Sequence, residues 1–260
     1  VWLPRTAHSE ISAATSFSLR VVNVQYGAKV TMSMRDIKYD PTRTLVQMTA
    51  AKGALIARCF RSNREYLAAS YLADGFVSGD GLDTIDGSPL FDSAHPYSEL
   101  SPEDTYSNRL SGDQPIDPTA LQNAMNLFAM MMASNGWERI DRMPKKCIAN
   151  PTNYADVMLT LKGPMDYTTA NNRLNTSSDY NIKPVFWNWF VPEPSVASDP
   201  DCPYPGFVLT TGEGLYFKTL EGFMTETDVD KDTGMFMLLA NDDAAFACDD
   251  PTQLVGSLGG

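Results

Sequence analysis

Asp86-Gly-Ser-Pro-Leu-Phe-Asp-Ser-Ala-His-Pro96 stands between two segments of helical periodicity, and that order decides the reading of the fold. Upstream, residues 41 to 74 place Leu45, Met48, Leu55, Ile56, Cys59, Phe60, Tyr66, Leu67 and Tyr71 at three- and four-residue intervals, the apolar stripe of a helix. Asp40 ahead of Pro41 offers a capping carboxylate and a proline suited to the first helical position. Roughly 30 helical residues span about 45 Å at 1.5 Å each, longer than most small enzymes use. Gly53 weakens such a helix by only about 1 kcal/mol. Downstream, Asp117-Pro118-Thr119 repeats the cap-plus-proline start, and Leu121, Met125, Phe128, Ala129 and Met132 form an apolar face expected to run to Asn135-Gly136.

The remaining chain reads mostly as strand and loop. Residues 17 to 24 and 28 to 34 predict two strands meeting at a turn on Tyr26-Gly27, after a small, polar stretch at 8 to 16 suited to a loop or hairpin arm. Residues 75 to 110 are rich in Gly, Asp, Ser and Pro and predict an irregular surface excursion. Cys147-Ile-Ala149 is a short strand entering Asn150-Pro151-Thr152, a third capped start, with a helix through Leu161 stopped by Gly163-Pro164. Residues 164 to 181 predict loop, and 185 to 191 a strand buried on both faces. Short strands follow at 207–210, 215–218, 222–227, 235–240 and 244–248. No solenoid or propeller period is present, and one interwoven α+β unit is expected.

The chain has 260 residues and is 43% hydrophobic, enough for one large core or two modest ones. No apolar run approaches the 18 residues of a membrane helix, and the first ten residues lack the apolar core of a secretory signal. The chain starts at Val1 without a Met, so a missing or removed upstream segment is expected. A net charge of −12 disfavours long-range attraction to a phosphate backbone. The small basic clusters Arg58/Arg61/Arg64 and Arg142/Lys145/Lys146 are expected on solvated or intersubunit faces.

Candidate chemistry is sparse. Cys59, Cys147, Cys202 and Cys248 lie far apart, without a zinc spacing, and are expected as reduced, buried thiols. The two histidines are His8, in the expected arm, and His95 before a proline, where capping or packing fits better than catalysis. Asp228, Asp230 and Asp232 have the opening spacing of a calcium loop, but Thr233 and Leu239 replace its Gly and Glu, so a solvated hairpin turn is expected. Asp80, Asp83 and Asp86 match no metal loop and are expected at the surface. Trp187 and Trp189 would share one side of a strand, as a core or subunit contact rather than a sugar platform. Met130-Met131-Met132 suits an adaptable helix surface or ordinary core. No catalytic residue, metal or cofactor is assigned, and no enzymatic activity is expected.

This order of elements resembles the tailed-phage major capsid proteins of the HK-97-like fold. The stretch from Asp86 to Pro96 looks most like the Mu-type major head subunits, and the likeness covers roughly residues 17 to 256. Val30 to Asp40 with the helix after it is similar to the strand and spine helix that follow the family's E-loop, and Ile148-Ala-Asn-Pro-Thr-Asn-Tyr-Ala-Asp156 to its strand, Asn-Pro and helix. The ending, from Gly214 through the acidic hairpin 225–234 to Val255, resembles the family's closing strands. The resemblance implies an N-terminal arm and E-loop at 1–29, a P-domain strand and spine helix at 30–75, an A-domain mainly of 76–212, and returning P-domain strands with a short A-domain segment at 213–260. It implies a homo-oligomer of pentamers and hexamers in an icosahedral shell that encloses double-stranded DNA without sequence-specific binding. The shell would belong to the virion capsid, assembled in the host cytoplasm, with scaffolding, portal, maturation protease and decoration proteins as possible partners and no membrane. Some members cross-link an E-loop lysine to a neighbour's asparagine. Between residues 8 and 29 this chain has only Lys29, and 223–239 holds no asparagine, so no cross-link is expected. Two alternatives stay open: an encapsulin-like nanocompartment shell, and an acidic β-rich binding or hydrolytic domain.

Overall fold

In the computed structural model, which describes residues 24–40, 44–77, 84, 86–98, 101–132, 142–165, 174–190, 206–219 and 222–259, the first strand, β1 (Val24–Ser33), runs straight through Tyr26-Gly27. The expected turn is absent because every residue from Val24 to Ser33 has a partner in one long antiparallel neighbour. Gly27 sits opposite Asn241, whose Oδ1 lies 3.3 Å from where a Cβ would be, so the glycine serves a close cross-strand approach instead of a turn. The stretch 8–23 lies outside the described residues.

Helices α1 (Met34–Tyr39) and α2 (Thr44–Ala73) follow, then β2 (His95–Ser98), β3 (Ser101–Tyr106), α3 (Pro118–Met130), β4 (Lys146–Ala149), α4 (Tyr154–Lys162), β5 (Lys183–Phe186), β6 (Phe207–Thr210), β7 (Leu215–Lys218), β8 (Met224–Asp230), β9 (Met235–Cys248) and β10 (Leu254–Ser257). Helix α1 replaces the end of an expected strand, with Ser33 accepting from the Asp36 amide. Helix α2 has 30 residues; Pro41, its expected first residue, lies outside the described set. Strands β2 and β3, read as irregular from sequence, pair antiparallel with each other.

Local signals place α3 and α4. Asp117 caps α3 by accepting from the Ala120 amide at 2.5 Å, but the helix stops at Met130, short of Asn135-Gly136, as Met131 turns to extended backbone and becomes buried. Asn150 accepts from the Thr152 amide and opens a 3-10 turn, Pro151–Asn153, that leads into α4. The loop expected at 164–181 contains a 3-10 turn, Thr176–Tyr180. Asn175 donates to the carbonyls of Thr160 and Gly163 at 2.8 and 2.9 Å, satisfying groups the end of α4 would leave open.

Two four-stranded sheets organise the chain. In one, β9 pairs with β1 along one edge and with β7 and β8 along the other. The sequence reading broke β9 at Asn241-Asp242-Asp243, yet the strand is continuous for 14 residues. Arg64 of α2 forks onto the buried Asp242, so a carboxylate at this position suits a strand interior. The second sheet has the order β10-β6-β4-β5, with β10, unexpected from sequence, on one edge. Strand β5 is the other edge and ends at Phe186; Val185 packs toward one core cluster and Phe186 toward the other, so the strand expected to 191 and buried on both faces is shorter and only half-buried.

Alternation in the second sheet divides the core. Cys147, Ala149, Phe207, Leu209 and Val255 pack with Leu121, Phe128, Val157 and Leu161 of α3 and α4. Ile148, Val208 and Leu254 point the other way, to Tyr71, Leu72, Phe76, Leu90, Phe91 and Phe190. The sheet is thus covered on both faces, and burying each Leu or Phe contributes about 1.5–3 kcal/mol.

Candidate assembly surface

Three β9 side chains meet α2: Leu238 lies beneath Gly53, Asp242 pairs with Arg64, and the Phe246 ring stands edge-on to Tyr71 at 5.1 Å. The even-numbered positions of β9 therefore face the helix and the odd-numbered ones face away. Among the described residues of α2, the continuous buried run is from Ala68 to Ala73. Earlier in the helix Phe60 is buried, Ile56, Tyr66 and Leu67 are half-buried, and Leu55 and Cys59 are exposed. Cys59 was expected in the core; it is exposed because the sheet reaches only one side of the helix there. The thiols of Cys147 and Cys248 are buried, and burial pushes Cys147 up to about 12 and Cys248 higher still. Cys202 lies outside the described residues.

Between α2 and the sheet runs an open groove of about 380 Å³, lined by Phe60, Ala68, Trp187, Phe217, Phe223 and Phe246. At its floor Arg64 Nε donates to Asp242 Oδ2 at 2.8 Å, and this hydrogen bond raises the guanidinium above its ordinary value. Phe217 and Phe223 are 44% and 41% exposed, so apolar surface here is left to water or to a partner. Trp187 and Trp189 do not share one side of a strand: β5 has ended, both lie in the turn after it, and Trp189 leaves the core to meet Tyr66 edge-on at 5.7 Å. Beyond the groove, β1, β8 and the start of β9 form a ribbon whose exposed apolar residues include Val24, Met224, Val229 and Met235. Asp230 closes its tip by accepting from Thr233 Oγ1 at 2.6 Å and from the Asp232 amide at 3.0 Å, which hold the carboxyl below its ordinary value. Asp228 and Asp230 thus lie in β8 and Asp232 in the turn that follows it, which makes the expected hairpin turn shorter than the three aspartates.

The 86–96 stretch is tied down by polar groups. Asp86 was expected at the surface, but its side chain is 3% exposed, with Oδ2 2.7 Å from His95 Nδ1 and Oδ1 accepting from Thr84 Oγ1 and the Ser88 amide. Burial raises this carboxyl, but the hydrogen bonds from His95 and Thr84 outweigh it and hold the group below its ordinary value. His95 is fully buried and stacks on Tyr106 at 5.2 Å, a packing role. No serine hydroxyl, cysteine thiol or second histidine bonds to this pair among the described residues; His8, Asp80 and Asp83 lie outside them. Burial, and then the charges of Asp86 and Asp250, push the Tyr106 hydroxyl far up. Asn108 donates to the Leu90 carbonyl at 2.7 Å and the Pro251 carbonyl at 3.2 Å, stitching the stretch to the C-terminal strands.

The two basic clusters part company. Arg58 and Arg61 are exposed while Arg64 is engaged with Asp242. Lys145 and Lys146 are exposed, but Arg142 is buried, donating to the Met132 carbonyl at 3.2 Å and lying 3.6 Å from Asp250, which ties the irregular segment ahead of β4 to the rest of the subunit. Met130 is 63% exposed and Met131 is 1% exposed, so the triplet spans surface and core. Sequence reasoning missed Arg64–Asp242, Asp86–His95 and Asn108; in each case the partner lies in another element, and only the residue types hinted at it.

No family model and no curated protein sequence matches this chain. Among solved structures, a chain from the capsid of bacteriophage PhiM1 is 13% identical with a TM-score of 0.49, covering 98% of this chain and 78% of its own. A chain of the holo-SrpI encapsulin complex from Synechococcus elongatus PCC 7942 is 10% identical with a TM-score of 0.47, covering 92% and 74%. A chain of the capsid of cyanophage P-SCSP1u is 13% identical with a TM-score of 0.51, covering 98% of this chain and 80% of its own. By this last likeness, which covers nearly the whole chain, the chain has a capsid-type fold.

Proposed function

We propose that this chain is the structural subunit of a self-assembling shell: an HK-97-like major capsid protein whose capsomers close into an icosahedral head around the double-stranded DNA of a tailed phage. The observation that carries the reading is the surface the subunit leaves uncovered. The ribbon and the exposed half of α2 extend past the core, and their apolar side chains, Leu55, Phe217, Met224 and Val229 among them, gain cover only from other copies. In this reading 1–29 is arm and E-loop, 30–75 the P-domain strand and spine helix, 76–212 mainly A-domain, and 213–260 the returning P-domain strands with a short A-domain segment. The affinity with Mu-type head subunits rests on the stretch from Asp86 to Pro96. The subunit has no chemistry of its own in this reading; scaffolding, portal, protease and decoration proteins are its partners. Negative-stain microscopy of the expressed protein tests it. Closed shells of uniform size are expected, shells that carry protein cargo and exclude nucleic acid would indicate a nanocompartment, and a uniform small monomer would indicate a binding or hydrolytic domain.

A further inference from the structure

Two rows of like charge, one on each sheet, lie without ion-pair partners among the described residues. In the parallel pair β4–β5, Lys146 stands opposite Lys183, and two positions on Ile148 stands opposite Val185. Ile148 and Val185 pack with Tyr71, Leu72 and Phe91, so alternation puts the two lysines on that same side of the sheet, where neighbouring strands are about 4.8 Å apart. Both lysines are exposed, and Glu213, after β6, lies 3.9 Å from Lys145 instead. Like charges directly opposite each other weaken a strand pair. On the first sheet, Glu226 and Asp228 of β8 stand opposite Leu239 and Met237, the β9 positions that face away from α2. These two acids are exposed and about 7 Å apart along the strand. Asp230 continues the row and is partly offset by Lys29. Beside them Met235, Met237 and Leu239 form an apolar strip that is half-buried or exposed.

We propose that Lys146 and Lys183 of one copy grip Glu226 and Asp228 of the next, with the lysine stems laid over the strip from Met235 to Leu239. The inference rests on the shell reading above and names a contact within it. The two rows lie on different sheets and have opposite sign, so the contact is heterologous: each copy gives its lysines to one neighbour and its acids to another, as a ring or closed shell requires. A two-fold contact through either row would instead set like charges together. Joining the rows relieves two self-repulsions and forms two cross pairs. The stems of lysines are apolar and methionines adapt to what covers them, so the strip is buried in the same step. At a net charge of −12 two copies repel at long range, and complementary rows are what can set their register. Two lysines on such a chain are too few to hold a phosphate backbone.

The test uses variants of the full chain, each checked for folding by circular dichroism: K146E/K183E, E226K/D228K, and the swap that combines them. A control joins K146E/K183E to E103K/D104K, which gives the net charge of the swap but places the new lysines on the exposed strand β3. Sedimentation velocity should show the concentration for half-assembly raised roughly tenfold or more in each pair variant, returned to about the unaltered value in the swap, and not returned in the β3 control. Unchanged assembly of K146E/K183E, or a swap no better than the control, overturns the proposal and leaves the shell reading standing. An unaltered chain that stays monomeric at every concentration, with scaffolding partners present, takes down the shell reading and the proposal together. A second measurement needs no variant to fold. The unaltered protein, assembled from a mixture of unlabelled and heavy-nitrogen copies, is treated with a carbodiimide, which activates a carboxylate for attack by a lysine amine in contact with it. Mass spectrometry should find mixed-label peptides joining Lys146 or Lys183 to Glu226 or Asp228, and their absence from assembled protein overturns the proposal.

Discussion

Arg64 in α2 and Asp242 in β9 are 178 positions apart in sequence and form a forked pair, with Nε 2.8 Å from Oδ2 and Nη2 on Oδ1. The carboxylate is fully buried and the guanidinium a third exposed, so among the described residues the helix supplies the compensating cation for a charge placed inside a strand. Arg64→Met strands that charge and should destabilise the fold by about 2–3 kcal/mol, less than the 3–5 typical of a fully buried pair because Arg64 reaches solvent. Arg64→Met with Asp242→Leu should recover most of the loss. Urea titrations of the two singles and the double measure the coupling, and additive losses would show that the pair does not hold α2 to the sheet.

Acid should release the 86–96 stretch before the rest of the subunit. The folded Asp86 carboxyl titrates below its unfolded value of about 3.9, so its contribution is fully present above that pH and disappears as pH falls through the lower folded value. Asp86→Asn should lower stability at neutral pH and flatten the acid limb of the stability profile. Parallel profiles for the two proteins would remove the pair from acid sensitivity.

Gly256 packs against aromatic rings: a Cβ there would come 2.7 Å from Phe91 Cδ1 and 2.8 Å from Phe76 Cζ. Those rings stack on each other at 4.5 Å, and the Gly256 amide donates to the Asn108 carbonyl, so neither side can yield freely. Gly256→Ala should cost about 1–3 kcal/mol, and Phe91→Leu in the same chain should restore part of it. Thermal unfolding reads both, and an unchanged midpoint for Gly256→Ala would mean the rings move aside.

What was legible in sequence was local. Asp117-Pro118, Asn150-Pro151 and the stripe from Ile56 to Tyr71 each act within a few residues, so α3, the entry to α4 and α2 were readable in advance. What was misread depended on distant partners. Tyr26-Gly27 and Asn241-Asp242-Asp243 have turn composition, yet they lie side by side in one ladder, where each makes the other extended. Asp86 has the composition of a surface loop until His95, nine residues on, folds back onto it. The exposed thiol of Cys59 was misassigned because helical periodicity locates an apolar stripe without telling whether this subunit or another covers it. The assembly surface was legible mainly as a surplus of apolar helix and hairpin.

Subunits in finished particles should be held without covalent links. Lys29 lies inside β1 opposite Leu239, and β8 with the turn after it has no asparagine to receive an amine. Particles boiled in SDS with reductant should run as one band near 28.6 kDa. A ladder of multiples would contradict this.

Sedimentation velocity of the purified protein over a wide concentration range tests self-assembly most directly. The account predicts capsomers or closed shells of megadalton mass, in equilibrium or after addition of a scaffolding partner. A stable monomer of 28.6 kDa at every concentration, with such partners present, would contradict it.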